Sequence, residues 1–297
     1  MVRRLTPARA IAPAPERAGA PGTDSAPHSD GGAHRRPDDP VPGVTRRRRT
    51  AGTVALRVAT TLALLLALWW GLVALLEPPR YVFPGPADVW DSYVRQWPML
   101  LRNTAITAAE IAIGLAVGLA AGAATALTVA ATPLARRLVL PVVVATQALP
   151  VFAIAPLLVV WLGYGMASKI AMAGLIIYFP VATAYAEAMA RVDPRLIDLA
   201  RIAGASRWQL LWRIRAPGGL PGLAAGAKVA ATVAPIGAVV GEWVGASAGL
   251  GFVMVNANAR SQTGTVFAAL GLLALLALAT RALADALIDR LLWRPDA

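Results

Sequence analysis

Cysteine is absent from the 297 residues, and histidine occurs only at His28 and His34. The first absence excludes disulfides, thiolate catalysis and cysteine-based metal sites. The second leaves no histidine for a metal or proton-transfer site in the apolar part of the chain. Lysine is confined to Lys169 and Lys228, and only 15% of the residues are charged, against about 25% in a soluble globular protein. We therefore expect no metal site and no ordinary soluble fold.

Long apolar runs fill most of the chain, of which 57% is hydrophobic. A transmembrane helix needs roughly 20 apolar residues to cross about 30 Å of hydrocarbon. Segments of that length predict an all-α membrane protein with six transmembrane helices, near residues 54–76, 104–130, 138–161, 170–190, 223–245 and 264–287.

Residues 1–50 are rich in proline, glycine, alanine, aspartate and arginine and have few large apolar side chains. Such a composition cannot bury enough surface to fold alone, so we predict a disordered basic tail followed by a transmembrane domain over residues 51–297. The four arginines at 46–49 favour a cytoplasmic anchor, with lipid or nucleic-acid docking as the alternative. The net charge of +12 is interpreted as a topology signal, and nucleic acid is not an expected partner.

The arginines also predict the orientation of the chain in the membrane. With six spans, the basic tail, residues 136–137, residues 191–215 and the C-terminal end all lie on one side. The positive-inside rule places that side, with both termini, in the cytoplasm. The opposite segments carry only Arg80, Arg95, Arg102, Lys169 and Arg260.

Prolines and glycines recur inside the spans. Prolines kink helices, and these kinks suit either a transport pathway or packing; they are Pro141, Pro150, Pro156 and Pro235. Glycines at four-residue spacing let helix backbones approach closely. Packing within one subunit is the favoured interpretation and a dimer seam the alternative for two such faces, Gly114, Gly118 and Gly122, and Gly237, Gly241 and Gly245.

Residues 191–222, called the elbow below, form a polar segment between two spans. Asp193 and Pro194 predict a helix start, and Gly204 allows a sharp turn at the end of that helix. Ser206 and Gln209 have capping-box spacing for a second short helix. Pro217 and the following glycines are predicted to stop it, which gives a helix–turn–helix lying across the cytoplasmic ends of the spans.

The elbow resembles the cytoplasmic "EAA" loop of permeases from ATP-binding-cassette (ABC) importers. The family pattern is Glu-Ala-Ala, three residues, Gly, nine residues and Ile-x-Leu-Pro. The corresponding positions are Asp198, Leu199, Ala200, Gly204, Ile214 and Pro217. Aspartate replaces glutamate, Leu199 replaces alanine and Ala216 replaces leucine, without a change of charge or turn geometry.

The resemblance implies the type I importer permease fold, also called MetI-like, in a multi-pass protein of the cell membrane. It implies a transport subunit rather than an enzyme, working as a homodimer with an ATPase pair and an extracytoplasmic solute-binding protein. The chain has no phosphate-binding Gly-x-x-x-x-Gly-Lys-Ser/Thr loop, so ATP and Mg²⁺ are expected in the ATPase and no cofactor in this chain. The implied ATPase-coupling residues are Asp198, Ala200, Arg201, Gly204, Ala205, Ser206, Trp208, Ile214 and Pro217.

Four further segments are similar to one branch of this family. YVFPGPADVW and WLGYGMASK resemble permeases for nitrate, sulfonate, taurine and vitamin precursors. NTAITAAEIAIG and the GEWVG…NANA stretch resemble the thiamine pyrimidine-precursor group, including relatives assigned to riboflavin. These two segments supply candidate substrate-pathway residues, namely Glu110, Glu242, Trp243, Asn256 and Asn258.

Other interpretations stay open for these residues and for the chain. Carboxylates at Glu110 and Glu242 would suit a neutral or weakly basic aminopyrimidine, whereas each could simply form an interhelical hydrogen bond. Lys228 is the clearest basic pathway candidate, although it could simply extend its ammonium to the cytoplasmic interface, and Asn256 and Asn258 could be loop caps. The alternative substrates are an alkanesulfonate, taurine or nitrate. An ion-coupled secondary carrier or a membrane scaffold are the alternative protein classes.

Overall fold

A computed structural model defines the fold for residues 51–148 and 150–292, and the predicted disordered tail lies outside them. These residues contain helices and connecting segments but no β-strand. The α-helices are α1 (Ala51–Leu76), α2 (Pro86–Ala131), α3 (Pro133–Ala148), α4 (Val151–Leu162), α5 (Met166–Ala190), α6 (Pro194–Ile202), α7 (Arg207–Leu210), α8 (Ala216–Gly245), α9 (Leu250–Ala259) and α10 (Thr263–Leu292). From Ala55 onward, the described residues belong to one compact unit.

Five helical stretches in this part of the chain are long and apolar enough to cross a membrane. They are α1, α2, α5, α10 and the continuous stretch Arg207–Gly245, which contains α7 and α8. The bent pair α3 and α4 supplies a sixth span if it is counted as one. The prediction of an all-α, multi-span membrane protein is confirmed.

The predicted third span, 138–161, is two helices rather than one. The axes of α3 and α4 differ by 99°. Pro150 forms the N-cap of α4 with an extended backbone, φ −60° and ψ 119°. Because proline has no N–H to continue a helix and clashes with the preceding turn, the break lies at this residue. Pro141 and Pro156 lie inside their helices.

Helix α2 starts much earlier than the predicted second span, 104–130, and is 46 residues long. Its helical geometry is interrupted at Gln96, with φ −117° and ψ 15°, two residues before Pro98. A proline removes a helix hydrogen bond and so favours a kink just before it. The first section of α2 is tied to α10 by the Tyr93 hydroxyl, which donates to the carbonyl of Ala268 at 2.8 Å.

Helix α5 forms the core because it packs extensively against both α2 and α8. A Cβ at Gly118 would lie 2.5 Å from the Ile177 side chain of α5, and one at Gly237 would lie 2.8 Å from the Ala173 backbone. Gly114, Gly122 and Gly241 face α5 at similarly short distances, and Gly245 faces α4. Both glycine faces are therefore covered within one chain. The packing interpretation is confirmed for them, and the dimer-seam alternative is wrong.

Helix α1 contacts α10 through three aromatic rings. The Trp69 ring stacks on Phe267 with centroids 5.9 Å apart, and Phe83 meets Phe267 edge-on at 5.6 Å. The Trp69 indole also donates to the carbonyl of Pro84 at 3.2 Å. The YVFPGP segment thus fixes α1 to the last span.

Candidate functional site: the elbow, a buried polar network and a cleft

The elbow begins with the predicted helix cap. The Asp193 carboxylate accepts a hydrogen bond from the Arg195 N–H at 2.9 Å, and Pro194 occupies the first turn of α6, where no N–H is required. Asp198 and Arg201 form an exposed ion pair on this helix, with an N–O distance of 3.2 Å. Local sequence therefore determines where α6 starts.

A left-handed turn at Gly204, with φ +81°, joins α6 to α7. Two backbone hydrogen bonds close it, from Gly204 N to Arg201 O and from Ala205 N to Ala200 O, both 2.9 Å long. The predicted capping box follows: Ser206 N donates to Gln209 Oε1 at 2.7 Å, and Gln209 N donates to Ser206 Oγ at 3.3 Å. Both predictions from the local sequence are confirmed.

The prediction that Pro217 and the following glycines stop the second helix is wrong. Helix α7 passes through a π-helical turn, Leu211–Arg215, directly into α8. Pro217 lies at the start of α8, where proline is well tolerated. Gly219 lets α8 approach α5, since a Cβ there would lie 2.6 Å from Met189. The second helix of the elbow therefore continues without a break into the fifth span.

The elbow exposes an apolar surface beside a small groove. Leu199, Ile202 and Trp208 are 64%, 85% and 65% exposed. The groove has a volume of about 350 Å³, and its lining includes Ala200, Gly204, Ala205, Arg213 and Ile214. An exposed apolar patch rimmed by polar groups is typical of a protein-binding surface. Arg215 anchors this region to the end of α2 by donating to the carbonyl of Ala130 at 3.2 Å.

A buried ion pair lies at the opposite end of the helices, called the far end below. Lys169, in the first turn of α5, donates to Glu110 of α2 at 2.7 Å, and their side chains are 8% and 0% exposed. The sequence places Lys169 only in a connecting segment and does not predict this contact. Both lysines of this arginine-rich chain form interhelical ion pairs, Lys228 with Asp289 at 3.1 Å, and no local pattern in the sequence indicates either pair.

Glu242 of α8 caps the start of α9. Its carboxylate accepts from the Thr107 hydroxyl at 2.6 Å and from the N–H of Gly251. Asn103 Oδ1 accepts from Gly249 N at 2.8 Å and Thr107 Oγ1 accepts from Leu250 N at 2.9 Å. The first N–H groups of a helix have no partner within it. Here α2 and α8 supply acceptors, and these contacts fix the position of α9.

A cleft of about 620 Å³, the far-end cleft, opens between α2 and α9. Its lining includes Ser247 and Ala248 of the α8–α9 connection, and the buried Lys169 donates to the carbonyl of Ala248 at 3.3 Å. The lining also carries polar side chains from α2, α9, the α9–α10 connection and α10, among them Gln96, Arg102, Asn256, Arg260, Gln262 and Thr265. The buried network and the cleft thus share the same backbone segment.

Comparison with known proteins identifies the family of this chain. Residues 114–293 match the family described as "Binding-protein-dependent transport system inner membrane component". The chain is a member of this ABC permease family. A probable ABC transporter permease of Haemophilus influenzae is 42% identical over 238 residues, which are 80% of this chain and 97% of the relative.

Two further relatives of the permease carry substrate names. The riboflavin transport system permease protein of Chloroflexus aurantiacus is 40% identical over 247 residues, or 82% of this chain and 91% of the relative. The formylaminopyrimidine transport permease protein of Halalkalibacterium halodurans is 32% identical over 218 residues, or 73% and 87%. Membership of the family makes the chain the transport subunit of an ABC importer and implies an ATPase and a solute-binding protein as partners.

Of the predicted substrate-pathway residues of the permease, only Asn256 lines the far-end cleft. Glu110 and Glu242 are fully buried and bonded to protein groups. Trp243 is 46% exposed and its ring lies 6.3 Å from that of Phe152, and Asn258 is exposed near the end of α9. Both asparagines lie on a helix rather than in the predicted loop. Arg102 and Arg260, which sequence analysis counted only as topology signals, line the cleft.

Proposed function

We propose that this permease imports a small nitrogen heterocycle, a thiamine pyrimidine precursor or a related compound such as riboflavin. The similarity to relatives named for riboflavin and formylaminopyrimidine over most of the chain carries this proposal. The far-end cleft, about 620 Å³ in volume, supports it because ligand pockets for small molecules fall between about 300 and 1,000 Å³. The roles of Glu110, Glu242, Trp243, Asn256 and Asn258 in the substrate pathway remain predictions.

The proposed assembly is a homodimer of this chain with two ATPase subunits, in the plasma membrane. The ATPase subunits bind ATP and Mg²⁺ and dock on the elbow, whose exposed apolar surface supports this role. The solute-binding protein delivers its cargo at the far end. The arginine distribution supports an orientation with both termini and the elbow in the cytoplasm.

In the elbow, each proposed coupling residue has a position consistent with its role. Ala200, Arg201, Gly204 and Ala205 form the turn, and Ser206 starts the second helix. Trp208 supplies exposed apolar surface and Ile214 lines the groove, while Asp198 pairs with Arg201 and Pro217 continues the elbow into α8.

Uptake assays with labelled solutes test the substrate proposal. We expect a strain that lacks this permease and its paralogues to lose ATP-dependent uptake of riboflavin or formylaminopyrimidine, and the restored gene to recover it. Taurine and an alkanesulfonate serve as comparison solutes. Restored uptake of taurine alone would replace the heterocycle proposal by the sulfonate alternative. Uptake driven by an ion gradient without ATP would instead indicate a secondary carrier.

A further inference from the structure

The charged residues that line the far-end cleft are both basic. Arg102 of α2 and Arg260 at the end of α9 both line it, and no aspartate or glutamate is among its lining residues. Within residues 51–148 and 150–292, neither guanidinium forms an ion pair or a side-chain hydrogen bond. Each guanidinium offers five N–H donors and no acceptor. The two charged groups that line the cleft are therefore both cationic hydrogen-bond donors.

The amides that line the cleft are largely used by the protein itself. Asn103 donates to the carbonyl of Met99 and accepts from Gly249 N, both at 2.8 Å. Gln96 donates to the Thr265 hydroxyl at 2.8 Å, and Asn256 donates to the carbonyl of Phe252 at 3.0 Å. Two of these bonds join different elements, Gly249 N to Asn103 and Gln96 to Thr265, and the two arginines are the only charged side chains among the lining residues.

The walls also offer an aromatic surface. Phe252, Asn256 and Arg260 follow one another at four-residue spacing, which places them along one face of α9, and all three line the cleft. An arginine and a phenylalanine on one face suit a flat ring with polar oxygen atoms at its edge, because the ring can stack while the oxygens accept hydrogen bonds.

We propose that the far-end cleft is a solute-binding site of the permease itself, in which Arg102 and Arg260 bind the carbonyl or anionic oxygen atoms of a planar heterocycle that packs on Phe252. This inference rests on the proposed function and narrows its solute class. It favours acceptor-rich rings, such as the dicarbonyl ring of a flavin, over a cationic aminopyrimidine. It differs from the expectation that Glu110 and Glu242 select a weakly basic solute, and the binding experiment below distinguishes the two.

Direct binding to the permease–ATPase complex, without the solute-binding protein, tests this site. With riboflavin as the probe and its fluorescence as the signal, we expect Arg102→Gln and Arg260→Gln each to raise the Kd at least about tenfold, the smallest loss expected for a hydrogen bond to a charged group. Phe252→Ala should also weaken binding. Arg95→Gln is the matched control, because Arg95 pairs with Asp91 at 2.9 Å outside the cleft.

The outcomes separate the site from the proposed function. Equal Kd values for wild type, Arg102→Gln and Arg260→Gln would overturn the site, as would unchanged riboflavin uptake by both variants in proteoliposomes. In that case the heterocycle function would stand. Arginine-dependent binding of taurine, with none of riboflavin or formylaminopyrimidine, would overturn both. Weaker recruitment of the solute-binding protein at an unchanged riboflavin Kd would show a docking surface and also overturn the site.

Two further variants, Arg102→Lys and Arg260→Lys, keep the positive charge. We expect their riboflavin Kd values to lie between those of wild type and the glutamine variants.

Discussion

Replacement of Lys169 by methionine is expected to lower the free energy of unfolding by about 3–5 kcal/mol. Lys169 and Glu110 form an ion pair with an N–O distance of 2.7 Å and almost no solvent exposure. Removal of the ammonium leaves the buried Glu110 carboxylate without its counter-ion, and that cost exceeds the loss of one contact. Thermal or denaturant unfolding in detergent measures it through the nine tryptophans. Thiol-reactive dyes would report nothing, since the chain has no cysteine.

Two further variants isolate the cause. In Lys169→Met/Glu110→Gln the buried charge is absent, so we expect the double variant to be more stable than Lys169→Met alone. Arg95→Met breaks an exposed ion pair, with side chains 74% and 54% exposed, and should cost less than about 0.5 kcal/mol. A Lys169→Met protein no less stable than Arg95→Met would contradict the buried-pair account.

Replacement of Gly249 by alanine is the second change with a large expected effect. Gly249 has φ +114° and ψ 167°. Essentially only glycine adopts this backbone region, and any other residue is strained there by about 1–3 kcal/mol. A Cβ there would also overlap the Glu242 carboxylate. That carboxylate is 1% exposed and cannot move without breaking its bonds to Thr107 and Gly251. With the cap of α9 lost as well, we expect a total of about 3 kcal/mol or more.

Gly163→Ala is a matched control for this strain. Gly163 has a similar backbone, φ 81° and ψ 174°, and a Cβ there would meet nothing within 4 Å. The difference between the two alanine variants therefore reports the contact with Glu242. In a Glu242→Ala background the difference should shrink. Equal losses in both variants would refute the role given to Glu242 as the cap of α9.

The sequence predicted those features that depend on neighbouring residues. The start of α6 at Asp193, the turn at Gly204 and the capping box at Ser206 each act within about four residues, so local patterns sufficed. Pro217 was misread because proline is common both after a helix end and at a helix start, and only the packing of Gly219 on α5 distinguishes the two.

The buried polar network could not be predicted from the sequence, because its partners lie far apart along the chain. Lys169 contacts a residue 59 positions away, and Asn103 binds the backbone of Gly249, which is 146 positions away. No local pattern encodes such contacts. The similarity to the vitamin-precursor permeases pointed to Glu110 and Glu242 as important residues, but only the structure places both in a buried network beside the cleft.

The measurement that tests the central claim most directly compares wild type with Gly204→Val in proteoliposomes that contain the ATPase and the solute-binding protein. Gly204 has φ +81° and a Cβ there would meet nothing within 4 Å, so the expected effect of valine is a backbone strain of about 1–2 kcal/mol in the turn. We predict that wild type recruits the ATPase and couples ATP hydrolysis to uptake. Gly204→Val should remain in the membrane and lose the ATPase or the coupling. A Gly204→Val protein with normal ATPase recruitment and transport, or an abundant wild-type protein that recruits no ATPase, would contradict the proposed role of the elbow.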